Sequence, residues 1–365
     1  MFLDSQSEAG ATLPEAERIY IMEIIDSIDY YGMVKGLPEQ FTNALANADK
    51  VDVSPIDASK VKNIIVLGLG GSGVSGDVVQ CVVSDTCKVP VIVSKHYELP
   101  AFVDESTLVI AASYSGDTEE TISAYNQARE SGAQIICISS GGKLKESAQA
   151  DKNCVYYATQ ENLQPRAALG AMSSPIFTAL DKLGLFPGGI EMAHAAVTQL
   201  EKRKAECIDY NSSNTATDLA KAIGSTIPVF YGGDALGAVA AYRFKCEVNE
   251  IAKAPAYNHY YPELCHNEIV GYGQHGDVTR QLLTLVELRH DYEHPQTKRR
   301  FEITRDLIRE TLVDVLEFRA QGDNKFAQLC DTFYVASFTT VYMAFAAGVD
   351  PGPVDVIWKL KNALA

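Results

Sequence analysis

Two spacings of apolar residues alternate along the chain. Short unbroken apolar runs occupy Ile64–Leu67, Val89–Val93, Thr107–Ala111 and Gln134–Ile138, and each ends in turn residues, the last at "SSGG". Runs of this length predict strands buried on both faces. Between them the apolar residues of Thr118–Ser131 recur at helical spacing. The pattern restarts after a helical stretch, Met192–Ala222. Strand-like Ile227–Gly233 leads into helical Ala235–Ala252, and strand-like Leu282–Leu288 into an amphipathic helix predicted over Thr297–Phe318. A further helix covers Phe326–Ala347. Strands alternating with helices predict parallel sheets joined by crossover helices. The expected class is therefore α/β, with two similar units at 61–190 and 191–350, each a parallel sheet flanked by helices. A helical segment, 1–60, precedes them, with Glu15–Ile28 and Pro38–Ala48 as its periodic stretches. Residues 351–365, "PGPVDVIWKLKNALA", form a proline turn and a closing helix.

The first predicted strand runs into "GLGGSG", where Gly68, Gly70 and Gly73 satisfy G-x-G-x-x-G. Glycines there let the chain turn tightly and bring backbone N–H groups to an anion at a helix N-terminus. A dinucleotide site expects an acidic residue after the next strand to hold the ribose. Ser94 and Lys95 stand there instead, which weakens that reading while leaving an NADP-type site open. No G-x-x-x-x-G-K-[ST] loop is present, and neither Ser72 nor Ser75 completes a G-x-S-x-G elbow. The third strand supplies a more pointed signal, "AASYSGDTEET". Ser113, Ser115 and Thr118 sit where strand passes into helix, with Gly116 to ease the turn. Hydroxyls and free N–H groups at that place suit one phosphate monoester. A single helix cap from Asp117 or Thr118 would need only one of them.

Charge narrows the partners. The 365 residues carry a formal net charge of −16 and show no Lys/Arg cluster, so nucleic acid is not an expected partner. An acidic protein that binds phosphate must do so locally. No run reaches the ~18 apolar residues of a membrane span, and the polar first residues do not read as a signal peptide. Eight scattered cysteines without C-x-x-C pairs are expected to be reduced. The expected address is the cytoplasm.

Together with "QPRAALG", "KCEVNEIAKAPAYNHYYPELCHNEIVG" and "PVDVIWKLKNAL", the two loops resemble the sugar isomerase (SIS) superfamily. More specifically, the chain is similar to the bifunctional phosphoglucose/phosphomannose isomerases, from about residue 25 onward. The resemblance implies two flavodoxin-like SIS units. It implies a cofactor-independent isomerase of phosphorylated hexoses, glucose 6-phosphate and mannose 6-phosphate against fructose 6-phosphate, working through a cis-enediol. It places Gly71 and Ser72 against the sugar, and Ser113, Ser115 and Thr118 on the phosphate. Glu250 becomes the base that shuttles the proton, ahead of Glu247 and Glu263, and Arg166 the cation beside the enediolate. His266, 16 positions after Glu250, would open the sugar ring from the partner subunit of a homodimer. Lys361 in the closing helix would assist over the active site; register leaves Lys359 as the alternative, and the I-x-x-L-K spacing favours Lys361.

Three other functions find less support in the residues. His259, Glu263 and His266 have the spacing of metal ligands on a helix, but Pro262 interrupts it and no metal is expected. A non-catalytic phosphosugar sensor would carry a basic helical DNA-binding segment, which residues 1–60 do not resemble. A glutamine-dependent aminotransferase of the same superfamily would need a cysteine nucleophile at its N-terminus, and residue 2 is Phe.

Overall fold

The computed structural model describes residues 24–364. Two wholly parallel sheets organise them, of five strands in the order β2-β1-β3-β4-β5 and four in the order β7-β6-β8-β9. After two short helices, α1 (Tyr30–Lys35) and α2 (Leu37–Ala48), the first sheet is built from β1 (Asn63–Leu67), α3 (Gly70–Val83), β2 (Val91–Ser94), β3 (Thr107–Ala112), α4 (Glu119–Glu130), β4 (Gln134–Ser139), α5 (Gly142–Ala150) and β5 (Cys154–Ala158). Helices α6 (Leu169–Lys182), α7 (Gly189–Cys207) and α8 (Thr215–Ile223) lead to the second sheet. That sheet comprises β6 (Ile227–Gly233), α9 (Asp234–Glu247), β7 (Tyr257–Tyr261), α10 (Gly276–Leu282), β8 (Leu283–Arg289), α11 (Pro295–Ile308) and β9 (Asp314–Arg319). Then come α12 (Lys325–Ala346) and α13 (Asp355–Leu364).

Side chains alternate across each strand, and both faces are covered. Ile64, Val66, Leu108 and Ile110 look into a large core shared with α3, α6, α7, α9 and α12, while Ile65, Leu67, Val109 and Cys137 pack under α4 and α5. Phe230, Val286 and Phe318 of the second sheet enter the same large core, and Val229, Tyr231 and Leu285 a third cluster. The halves are therefore joined by continuous apolar packing, with α12 buried along its length.

Several expectations need correction. The helix read over Thr297–Phe318 is helix only to Ile308; a 3-10 turn, Arg309–Thr311, then yields to β9. Strands β5 and β7 were not foreseen, β2 begins two residues later than the apolar run, and Met192–Ala222 is split between two helices. All these strands lie at sheet edges. An edge strand pairs on one side only and can keep polar, half-exposed positions, so β7 ("YNHYY") and β9 ("DVLEFR") lack the unbroken apolar run of a central strand; β5 ("CVYYA") is apolar throughout but short. Most of Glu15–Ile28 lies outside the described residues, and 24–28 are irregular chain and turn. All eight cysteines are free thiols, four of them buried.

Candidate active site

Three loops at the carboxyl ends of the first sheet's strands meet in one place. The turn after β1 needs its glycines: Gly70 has φ +54°, and a Cβ on Gly71 would lie 2.4 Å from the Pro165 carbonyl oxygen. Gly71 thus packs directly on the Pro165–Arg166 backbone. Ser72, buried in the first turn of α3, accepts a hydrogen bond from the Tyr114 N–H at 3.0 Å. Its own hydroxyl hydrogen is left to donate. This bond ties the glycine turn to the loop after β3.

In that loop Ser113 Oγ and Thr118 Oγ1 are 2.9 Å apart, and Ser113 Oγ also accepts the Gly116 N–H at 3.1 Å. Ser115 is exposed, with its Oγ accepting the Asp117 N–H at 3.3 Å. Gly116 has φ +77°, and a Cβ there would come within 1.8 Å of the Gly141 oxygen. Thr118 occupies the N-cap position of α4 but makes no capping hydrogen bond, and Asp117 Oδ1 accepts the Lys143 N–H at 3.0 Å. The capping explanation for these residues therefore fails. Among the described residues no side chain caps the first N–H groups of α4, which lie beside three hydroxyls.

Tyr114 extends the frame outward. Its hydroxyl donates to the Gln160 carbonyl at 2.9 Å and accepts the Leu163 N–H at 2.7 Å, pinning the segment that leads to Arg166. Arg166 is buried. One nitrogen, Nη2, donates to the carbonyls of Pro351, at 3.2 Å, and Gly352, and the guanidinium lies 4.7 Å from the centre of the Tyr30 ring. Its Nε has no partner among the described residues. The Arg166 backbone carbonyl accepts a bond from Arg243 Nη2, on α9.

From the second unit, α9 runs into a π-helical turn, Val248–Ala252, that carries a half-buried Glu250. A π turn inserts a residue into the helical register, a device found often at functional sites. Glu247, a rival carboxylate in sequence, is spent elsewhere: it is buried against Arg243 Nε at 2.6 Å and accepts from Ser337 at 2.9 Å. Burial pushes its carboxyl pKa up, and Arg243 and Ser337 pull it back. Lys253 donates to the Glu250 backbone carbonyl and, at 3.3 Å, to the Pro351 carbonyl that also holds Arg166. Residues of both units and of the tail are joined here. No signal marked Arg243, Tyr30 and the 350–352 turn, because each lies far in sequence from the loop it serves; Lys253 is three residues from Glu250, but its bond to the Pro351 carbonyl spans 98 positions.

Two expected site residues stand apart. His266 ends a 3-10 turn, Glu263–His266, just beyond edge strand β7; it is exposed, with no hydrogen bond or ion pair to Glu250 or Arg166 among the described residues. Lys361 lies on α13, whose residues are all exposed, and its ammonium sits 5.3 Å from the Trp358 ring centre. Nor does the ligand spacing around His259 form one group: His259 Nε2 is 3.9 Å from Glu268, while Glu263 accepts from Asn267 at 2.9 Å.

Fold and loops define a protein with two parallel α/β units and an uncapped, hydroxyl-lined helix N-terminus in the first. The SIS domain profile matches residues 58–175, and that of the bacterial phospho-glucose isomerase C-terminal SIS domain matches residues 212–364. The chain is 38% identical over 339 residues to a bifunctional phosphoglucose/phosphomannose isomerase of Caldicellulosiruptor bescii, covering 91% of this chain and 98% of that one. It is 31% identical to the Aquifex aeolicus protein of the same name, covering 92% and 98%. The chain belongs to the bifunctional phosphoglucose/phosphomannose isomerase family. Among solved structures, the C-terminal domain of glucosamine-fructose-6-phosphate aminotransferase from Francisella tularensis superposes with TM-score 0.68 at 12% identity, over 88% of this chain and 97% of that one. At that identity the likeness is one of fold.

Proposed function

We propose that this protein interconverts glucose 6-phosphate and mannose 6-phosphate with fructose 6-phosphate, without a cofactor. The reading is carried by one observation: an uncapped, hydroxyl-lined α4 N-terminus in the first unit is linked through Tyr114 and the segment it pins, Arg166, the Pro351 carbonyl and Lys253 to the Glu250 turn of the second. Ser113, Ser115 and Thr118, with the free N–H groups of α4, take the phosphate. Gly71 and Ser72 face the sugar. Glu250 removes the proton from C2 of the aldose, or C1 of the ketose, and returns it to the neighbouring carbon. Glucose and mannose give the same enediol, so one base serves both. Arg166, held by the tail carbonyls, meets the charge developing on the enediolate oxygen through its unpartnered Nε.

Ring opening is assigned to His266 with Lys361. Exposure of His266 beyond an edge strand, away from Glu250's network, supports its entering the site of a second copy in a homodimer. The exposed apolar residues Val356, Trp358 and Leu360 on α13 fit an element that is covered on assembly. Unit boundaries near 190 and 350 belong to the same reading. So does a cytoplasmic address without membrane or nucleic-acid partners; no helix of the described residues is long and apolar enough to cross a membrane. The test is a coupled assay of the purified chain on glucose 6-phosphate and mannose 6-phosphate, with chelator present. Turnover of both is expected. Dependence on added zinc would refute the mechanism.

A further inference from the structure

Lys253 stands where a helix ending would ordinarily use glycine. It caps the π-helical turn with φ +56° and ψ +28°, in the left-handed region. A side chain there costs about 1 kcal/mol relative to glycine. The backbone alone does not need a lysine, since the capping bond is its own N–H to the Val248 carbonyl. The side chain instead folds back, and its ammonium donates to the carbonyl of Glu250 and to that of Pro351.

The Pro351 carbonyl is an unusual meeting point. It receives Lys253 Nζ at 3.3 Å from the second unit and Arg166 Nη2 at 3.2 Å from the first. Two cations on one oxygen repel, and partial burial of the ammonium, then the charge of Arg166, lowers the Lys253 pKa; Asp350, Glu250 and Asp355 counter this. Asp350 also holds the turn, accepting the Gly352 N–H at 2.9 Å and the Ser27 N–H at 3.3 Å. A shared acceptor that keeps two like charges close couples their positions.

We propose that Lys253 is a positioning residue for the isomerisation: its ammonium locks the Glu250 turn and the Arg166 guanidinium into one frame through the Pro351 carbonyl. The claim rests on the functional reading above, in which Glu250 moves the proton and Arg166 meets the oxyanion. A carboxylate that must reach two adjacent carbons tolerates little displacement; misplacement by about 1 Å costs on the order of a hundredfold in rate.

The experiment compares Lys253→Gly, Lys253→Met and Lys253→Arg in the full chain, reading kcat and KM on fructose 6-phosphate and the thermal midpoint. Lys253→Gly relieves the backbone while deleting the ammonium. Its midpoint is expected to match or exceed wild type, with kcat lower by about tenfold to a hundredfold and KM within about threefold. Lys253→Arg, which retains donors, should recover part of kcat, whereas Lys253→Met should not. Wild-type kcat in Lys253→Gly overturns the proposal, as do kcat losses that simply track the midpoint across the three variants. An inactive wild-type chain would sink the functional reading itself; an active one with an equally active glycine variant sinks only this inference.

Discussion

Both units bring a strand into a turn and a helix N-terminus at equivalent places, and they treat that place in opposite ways. In the first, β3 ends in Ser113, Ser115 and Thr118, and no side chain caps α4. In the second, β8 runs into the N-terminus of α11, which the protein fills itself. Asp234 accepts the His294 N–H at 2.8 Å and the Thr297 hydroxyl at 2.9 Å, His294 caps Gln296 at 3.1 Å, and Pro295 has no N–H to offer. Glu293 takes Arg289 and the His290 N–H. A carboxylate already sits where an anion would bind. The scaffold supplies the helix N-terminus in both halves; in the proposed function, the donors left unspent decide which half takes the phosphate. Under the same proposal the second unit, relieved of phosphate binding, contributes the carboxylate of the chemistry instead.

The largest effect is expected at Glu250. Glu250→Gln removes the base but not the cradle, so kcat should fall by roughly a thousandfold while binding of 5-phosphoarabinonate, followed by calorimetry, stays near wild type. Near-normal turnover would reassign the base. Next, Ser113→Ala with Thr118→Ala should raise KM by about tenfold or more with a smaller loss in kcat, since phosphate contacts act in ground and transition states alike. An unchanged KM would move the phosphate elsewhere. Gly116→Ala forces a side chain into a left-handed position and onto the Gly141 oxygen; a stability loss of about 2–3 kcal/mol, read from urea unfolding, is expected.

The second unit's filled site gives a smaller effect. Asp234→Asn keeps hydrogen-bond acceptance but drops the charge at α11, so it should cost about 1 kcal/mol of stability and leave kcat and KM as they were. A large KM change would mean that the second cradle also handles substrate. The smallest effect concerns the tail. Burial would raise the Asp350 carboxyl, but the hydrogen bonds from Ser27 and Gly352 hold it below its ordinary 3.8. A depressed carboxylate adds stability that is complete above the unfolded value and lost as pH falls through the folded one. Asp350→Asn should therefore flatten the stability profile below about pH 4 by a few tenths of a kcal/mol, and an identical acid limb in wild type and variant would contradict this.

How much of this was legible differs between centre and edge. β1, β3, β4, β6 and β8 have two neighbours each and are mainly apolar, β8 being interrupted only by Thr284 and Glu287 before Arg289, so their runs stand out along the chain. Tyr257–Tyr261 and Asp314–Arg319 have one neighbour each, and "DVLEFR" carries charges that pass equally well for the end of an amphipathic helix. The site shows the same division. Hydroxyls at a strand-to-helix passage are local chemistry and could be read directly. Arg243, Lys253 and the Pro351 carbonyl act through partners 77, 98 and 185 positions away, and no local pattern announces them.

The order of residues alone determined that this chain makes two parallel α/β units and that the first carries a hydroxyl-rich loop, because burial periodicity and turn chemistry are properties of short segments. Tertiary structure alone decided that Glu247 is consumed by Arg243 while Glu250 stays half-exposed on a π turn. It also decided that a tail carbonyl gathers cations from both units. These outcomes depend on which distant groups compete for the same acceptor, and that competition exists only once the core has brought them within hydrogen-bonding reach.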